Sequence, residues 1–131
     1  MHGMIWVRAG AILGALAVAA GAFGAHSLEG RIEARMVDIF KTGATYQMFH
    51  ALALVGVGLL IGSGRGGASA SVAGWSFLLG TLIFSGTLYA LALSGIRWLG
   101  AITPIGGVLM IVGWIALALA AGPSRGTNPN L

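Results

Sequence analysis

The sequence predicts an all-α fold: a four-transmembrane-helix bundle with a short amphipathic interfacial helix between helices 1 and 2. Two observations carry that expectation. Apolar residues fill 57% of the 131 positions and charged residues only 8%, too few to clothe the outside of a soluble domain. The ionisable residues also lie mostly between long apolar runs, and a run of roughly 20 apolar residues is what a helix needs to cross the hydrocarbon core of a bilayer. The mean hydropathy of +0.93 agrees. By length the chain is expected to be a single integral membrane domain, residues 1–131.

The first span is read over about residues 4–25, with Arg8 snorkelling to the headgroups. A basic start, an apolar run and the small residues Ala22-Phe23-Gly24-Ala25 also fit a cleavable signal peptide, the competing reading of this stretch. In the segment 28–43 the composition changes, and all three acids, Glu29, Glu33 and Asp38, fall there with Arg31, Arg35 and Lys41. Ile32, Met36 and Ile39 recur at helical spacing opposite Arg35, Asp38 and Lys41, which predicts a short helix lying in the interface. Arg35 to Asp38 and Asp38 to Lys41 are expected as favourable pairs three residues apart. A solvated connector is the alternative.

The second span is expected over about 46–62, with Gly56, Gly58 and Gly62 on a small-residue side, and Ser63 to Ser69 form a Gly/Ser-rich turn. No acid or base lies between Arg65 and Arg97, which leaves room for a third span over about 72–94. Gly95 to Leu99 is a tight connection with Trp98 at the depth indoles favour. The fourth span covers about 101–121, with Pro104 in its first turn and Thr103 as its cap. Residues 122–131 read as a disordered tail.

Seven basic residues against three acids give a formal charge of +4. The cations stand singly at the junctions, as interface anchors do, so nucleic acid is not an expected partner. Arg8, Arg65 and Arg125 on one membrane face balance Arg31, Arg35, Lys41 and Arg97 on the other. The chain has no cysteine, which removes disulfides, thiolate metal sites and thiol nucleophiles.

Four spans gather four helix ends at one face, and those ends carry most of the polar side chains of the bundle. The candidate cluster is His26, Tyr46, Gln47, His50, Ser85, Tyr89 and Thr103. Tyr46 and His50, four residues apart, share a helix side, and His50 lies about 6 Å deeper along the axis. His26 is the expected partner of His50, with Glu29 and Tyr89 as equals. One reading is that these groups hydrogen-bond across helices and fix their register. The others are a site for a polar headgroup, a quinone or a metal, or b-type haem held by two histidines. No acid lies inside any span, which argues against an ion-coupled pump. Close helix packing is expected at Gly10, Gly14 and Gly21 on span one, Gly58 and Gly62 on span two, and Gly106 and Gly107 on span four.

The chain resembles the domain-of-unknown-function family 423 (DUF423), small membrane proteins that include the transmembrane protein 256-like proteins. The resemblance is carried by Gly21-Ala22-Phe23-Gly24-Ala25-His26, by Tyr46-Gln47-Met48-Phe49-His50-Ala51-Leu52, by Gly80 through Phe84-Ser85-Gly86-Thr87-Leu88-Tyr89, and by Thr103-Pro104-Ile105-Gly106-Gly107 with Gly113-Trp114. It implies a four-span integral membrane protein and brings no activity, cofactor or catalytic residue. The expected function is therefore that of a non-enzymatic, multi-pass protein of the bacterial plasma (inner) membrane. It would act as an accessory subunit of a membrane complex or as a homo-oligomer, with the lipid bilayer and other membrane subunits or itself as partners. No catalytic residue, metal or cofactor is expected. The alternative is a binder or transporter of a small hydrophobic or lipid-like ligand at the polar end of the bundle.

Overall fold

The computed structural model describes residues 2–122, so the expected tail lies outside the described residues from position 123 onward. Four α-helices follow one another: α1 (His2–Phe23), α2 (Ala34–Gly62), α3 (Gly67–Ser94) and α4 (Thr103–Ala120). A π-helical turn, Gly24–Leu28, continues α1, and a 3-10 segment, Arg97–Ala101, leads into α4. All four helices are long and apolar enough to cross a membrane, and no strand occurs among the described residues.

The separate interfacial helix expected over 28–43 does not form. From Ala34 the chain runs unbroken into the second span, so that α2 is 29 residues long. Nothing between Lys41 and Tyr46 breaks a helix: Thr42 and Thr45 donate to the carbonyls of Asp38 and Lys41, at 2.9 and 3.0 Å, as residues inside a helix do. Gly43 is a packing position and no hinge, since a Cβ there would stand 2.9 Å from Cε1 of Tyr89. The amphipathic pattern is real but faces other helices. Val37 and Phe40 are buried with Leu28 and Ala92, and Ile32, Met36 and Ile39 pack on that cluster.

The anticipated Arg35–Asp38 and Asp38–Lys41 pairs are likewise replaced. Among the described residues the ion pair is Lys41 Nζ to Glu29 Oε1 at 2.6 Å, which ties the turn after α1 to the first part of α2. The ammonium's hydrogen bond, and then its charge, hold the Glu29 carboxyl below its ordinary value of 4.5.

Glycines set the ends of α3. The turn between α2 and α3 has Gly64, Gly66 and Gly67 at φ of 81°, 94° and 53°, a region costly for any residue with a Cβ. α3 consequently begins at Gly67, earlier than the expected 72. At its other end Gly95, φ 72°, donates to the carbonyl of Leu91 at 2.8 Å and stops the helix. Pro104 occupies the first turn of α4. Thr103, expected as the cap, makes no capping bond and lies within the helix.

α1 packs on α2, α2 on α3, and α3 on α4, and these three interfaces carry the tertiary structure. Backbone approach at glycine makes the first and last possible. A Cβ on Gly10 would come within 2.6 Å of the Ala51 carbonyl oxygen, and one on Gly58 within 2.5 Å of that of Gly3. A Cβ on Gly106 would come within 2.5 Å of the Phe84 nitrogen. Gly14 and Gly107 are in ordinary contact only, and the Cβ positions of Gly21 and Gly62 face open space. Gly3 and Gly80, absent from the expected set, approach Gly58 and Gly106 just as closely. The core between the helices holds Trp6, Leu13, Leu54, Val57, Ala73, Phe77 and Ala116.

Candidate functional site

Extension of α2 to Ala34 moves the polar cluster. At 1.5 Å per residue, Gln47 and His50 sit about 20 and 24 Å along the helix, not at its start. They face the interior, at 5% and 4% exposure. Groups so placed have no bulk water to bond and need partners from the protein.

Gln47 has a partner at each end of its amide. Its Nε2 donates to the Leu13 carbonyl on α1 at 2.8 Å, and its Oε1 accepts from the Tyr89 hydroxyl on α3 at 2.7 Å. One amide thus joins three helices. Beside it Ser85 Oγ donates to the Gly43 carbonyl at 2.7 Å, a second tie between α3 and α2. Phe40 packs its ring on Tyr89 at 4.7 Å between centroids, which fixes the direction of the phenol.

His50 turns the other way, towards α4. Trp114 donates its indole N–H to Nε2 at 3.0 Å, while Nδ1 lies 2.7 Å from the carbonyl of Tyr46. An indole only donates and a carbonyl only accepts, so these two bonds assign the neutral tautomer with its proton on Nδ1. Phe77 lies against both rings, at 5.6 Å from His50 and 4.9 Å from Trp114. A Cβ on Gly113 would stand 2.6 Å from the Phe77 ring, so a glycine there lets the three rings meet.

The remaining expected members are dispersed. Tyr46 is 41% exposed, and its ring rests on Phe84 at 4.9 Å. Thr103 pairs with Thr87, hydroxyl to hydroxyl at 2.7 Å, at the start of α4. His26 is exposed in the π-helical turn and takes no part in these bonds. The expected His26–His50 pairing is therefore replaced by Trp114 and the Tyr46 carbonyl, while Glu29 bonds Lys41 and Tyr89 bonds Gln47. Two histidines on one haem would require the pairing that is missing. Among the described residues no group of three His, Asp or Glu side chains comes together to hold a metal.

Trp114 and Thr81 belong to the site and stood outside the expected set. The signal for Trp114 was an indole donor in a span otherwise poor in polar groups. For Thr81 it was a hydroxyl in the middle of an apolar helix. Thr81 is 1% exposed, and its Oγ1 has no hydrogen-bond partner in the structure. It lines a groove between α1 and α3 together with Leu16, Gln47, Leu82, Ser85 and Tyr89.

Four apolar helices tied together by internally satisfied polar side chains define a multi-pass helical membrane protein. Comparison with known proteins agrees. The chain belongs to the family described as "Protein of unknown function (DUF423)", whose profile matches residues 20–107. It is 47% identical over 116 residues to a UPF0382 membrane protein of Staphylococcus epidermidis, covering 88% of this chain and 93% of that one. It is 45% identical over 117 residues to the UPF0382 membrane protein YwdK of Bacillus subtilis, covering 89% and 95%. These relatives are membrane proteins of bacteria, and their names carry no enzymatic activity. No solved structure matches the chain.

Proposed function

We propose that this protein is non-enzymatic and acts by lateral association inside the bilayer, as a small subunit of a membrane complex or as a homo-oligomer. One observation carries the reading: the polar groups buried along α2 and α3 are largely spent on one another. Gln47, His50, Ser85 and Tyr89 each have a protein partner at 2.7 to 3.0 Å. Among the described residues no nucleophile stands beside a free base and no carboxylate enters the cluster, which argues against acid–base or covalent chemistry there. What the protein offers its surroundings is its outer surface, where Ile5, Ile12, Leu52, Val108, Ile111 and Leu119 are all more than half exposed. Extraction in a mild detergent, with cross-linking in the native membrane beforehand, tests this. A partner or a second copy is expected to be captured. A strict monomer that co-purifies with no other protein overturns the reading.

A second reading, binding of a lipid-like ligand, is favoured by the groove between α1 and α3 and by the unpaired Thr81 hydroxyl on it. If His50→Ala only lowers the melting temperature and leaves ligand binding unchanged, the polar cluster on the α4 side is structural and any ligand belongs to the α1 side.

A further inference from the structure

We infer that the groove between α1 and α3 is a binding site for a neutral lipid whose head carries a hydrogen-bond-accepting carbonyl, as isoprenoid quinones do. The inference rests on the second reading above and gives it a position and a ligand class.

The groove exists because α1 and α3 both pack on α2 and are held apart from each other. Near the start of each helix Trp6 wedges between them, edge-on to Trp75 at 5.2 Å between centroids. It is seated where a Cβ on Gly74 would come within 2.7 Å of the indole. Beyond the wedge the two helices leave a space of about 360 Å³, which falls in the range of small-ligand sites, roughly 300–1,000 Å³. Its rims, Leu16 and Leu82, are 55% and 52% exposed and face the bilayer side of the molecule. A ligand with an apolar tail can therefore enter sideways from the lipid.

The floor selects the head. Buried threonines in helices ordinarily return their hydroxyl to a carbonyl one turn back, as Thr87 does to Ile83 at 2.7 Å. Thr81 Oγ1 has no such partner, and an unpaired hydroxyl at this depth is costly. Gln47 Nε2 carries two hydrogens and gives one to Leu13. Gln47 and Thr81 both line the groove; the second hydrogen of that amide and the Thr81 hydroxyl, which is buried just beneath the groove surface, are two donors that call for an acceptor. Ser85 and Tyr89 already give their hydrogens to Gly43 and Gln47. Among the described residues no carboxylate, ammonium, guanidinium or imidazole lines the groove, so a charged head would enter without a counter-ion.

Depth narrows the class further. Thr81 is close to the middle of α3, about 20 Å from either end at 1.5 Å per residue. The ester carbonyls of phospholipids stay near the headgroups, about 15 Å from the midplane of a hydrocarbon core about 30 Å thick. A head that reaches Thr81 must be neutral enough to sink into the hydrocarbon.

The test uses the full chain in phosphatidylcholine nanodiscs, with decylubiquinone titrated in and tryptophan quenching as the readout. Saturable quenching is expected. Thr81→Val, equal in shape but without the hydroxyl, is expected to weaken it about five- to tenfold, the value of one hydrogen bond. The same variant should hold or raise Tm, because it removes an unpaired polar group. Ala20→Phe, which fills the groove, is expected to abolish the saturable component. Displacement by diolein better than by menaquinone-4 would name a glyceride ester as the carbonyl source and still support the site. Displacement by oleate as effective as by menaquinone-4 would overturn the neutral head. Binding that persists unchanged in both variants overturns the groove and leaves the second reading standing, whereas absence of any saturable component overturns both. A drop of several degrees in Tm for Thr81→Val with unchanged affinity would show the hydroxyl to be structural and also overturns the proposal.

Discussion

Trp114 Nε1 donates to His50 Nε2 across 3.0 Å, tying α4 to α2 although α4 packs chiefly on α3. The bond spans 64 residues of sequence and leaves the imidazole with a partner on each nitrogen. Trp114→Phe keeps a ring against Phe77 and deletes the donor. Interhelical hydrogen bonds of this kind contribute about 0.6 and at most about 1.7 kcal/mol in a membrane, and a loss in that range is expected. A double-mutant cycle of Trp114→Phe with His50→Ala in unfolding measurements checks it, and strict additivity would mean that the bond contributes nothing.

Gln47 is the more sensitive position, since one side chain serves α1 and α3 at once. Gln47→Leu strands the Tyr89 hydroxyl at the same time as it removes the tie to Leu13. The expected cost, about 1–3 kcal/mol for a buried group left unpaired, exceeds that of Tyr89→Phe, which removes a donor and leaves Gln47 Nε2 in place. Equal losses in the two variants, measured by unfolding in the same detergent, would contradict the bridging role.

How much of this was legible in the sequence differs from element to element. The spans were, because long uncharged runs bounded by single arginines have few other solutions. The start of α2 was not. Ile32, Met36 and Ile39 repeat identically whether the apolar face lies on lipid or on Leu28 and Tyr89, and only the partner tells the two apart. The misplaced helix start carried the polar cluster with it: a second span beginning near 46 puts His50 one turn in, whereas α2 puts it about 24 Å along the helix. Tyr46 to His50 was visible as a polar stretch, but the partners of its members were not. Leu13 contributes a backbone carbonyl, which has no sequence signature, and Trp114 is as far from His50 in sequence as α4 is from α2. Four-residue glycine spacing signals close approach without saying to what. Gly10 and Gly58 are consumed between α1 and α2, and Gly21 faces open space.

That difference between glycines is itself testable. Gly10→Ala would push a methyl to 2.6 Å from the Ala51 carbonyl oxygen and 2.9 Å from the Val55 nitrogen, both backbone atoms that cannot swing away. The helices must separate, at a cost of about 1–3 kcal/mol. Gly21→Ala meets nothing within 4 Å and gains helix propensity, so it is expected to be neutral or stabilising by up to about 1 kcal/mol. If Gly21→Ala instead disrupts a complex in native membranes while leaving the isolated chain unharmed, that face is where a neighbour sits, which would strengthen the association reading.

The Lys41–Glu29 pair predicts a pH dependence with a definite sign. Glu29 is exposed, and its carboxyl is held below 4.5 first by the hydrogen bond from Lys41 and then by the ammonium charge, with a smaller contribution from His26; the small desolvation works in the opposite direction. A carboxyl whose folded value lies below its unfolded one binds fewer protons in the folded state. Its contribution is therefore complete above about pH 4.5, the unfolded value, and is lost as pH falls through the lower folded value. The effect is small, because an exposed ion pair is screened by water and salt. Glu29→Gln should accordingly lower Tm slightly at pH 7, with the gap between variant and parent narrowing as pH falls below about 4.5 and shrinking at high salt. The expected structural consequence is local: loss of the pair frees the turn between α1 and α2 while the Gln47 bridge holds the two helices together deeper in the membrane. Amide exchange that rises at residues 29–33 in the variant and stays unchanged around Leu13 would show that division of labour, and a uniform rise along α1 would refute it.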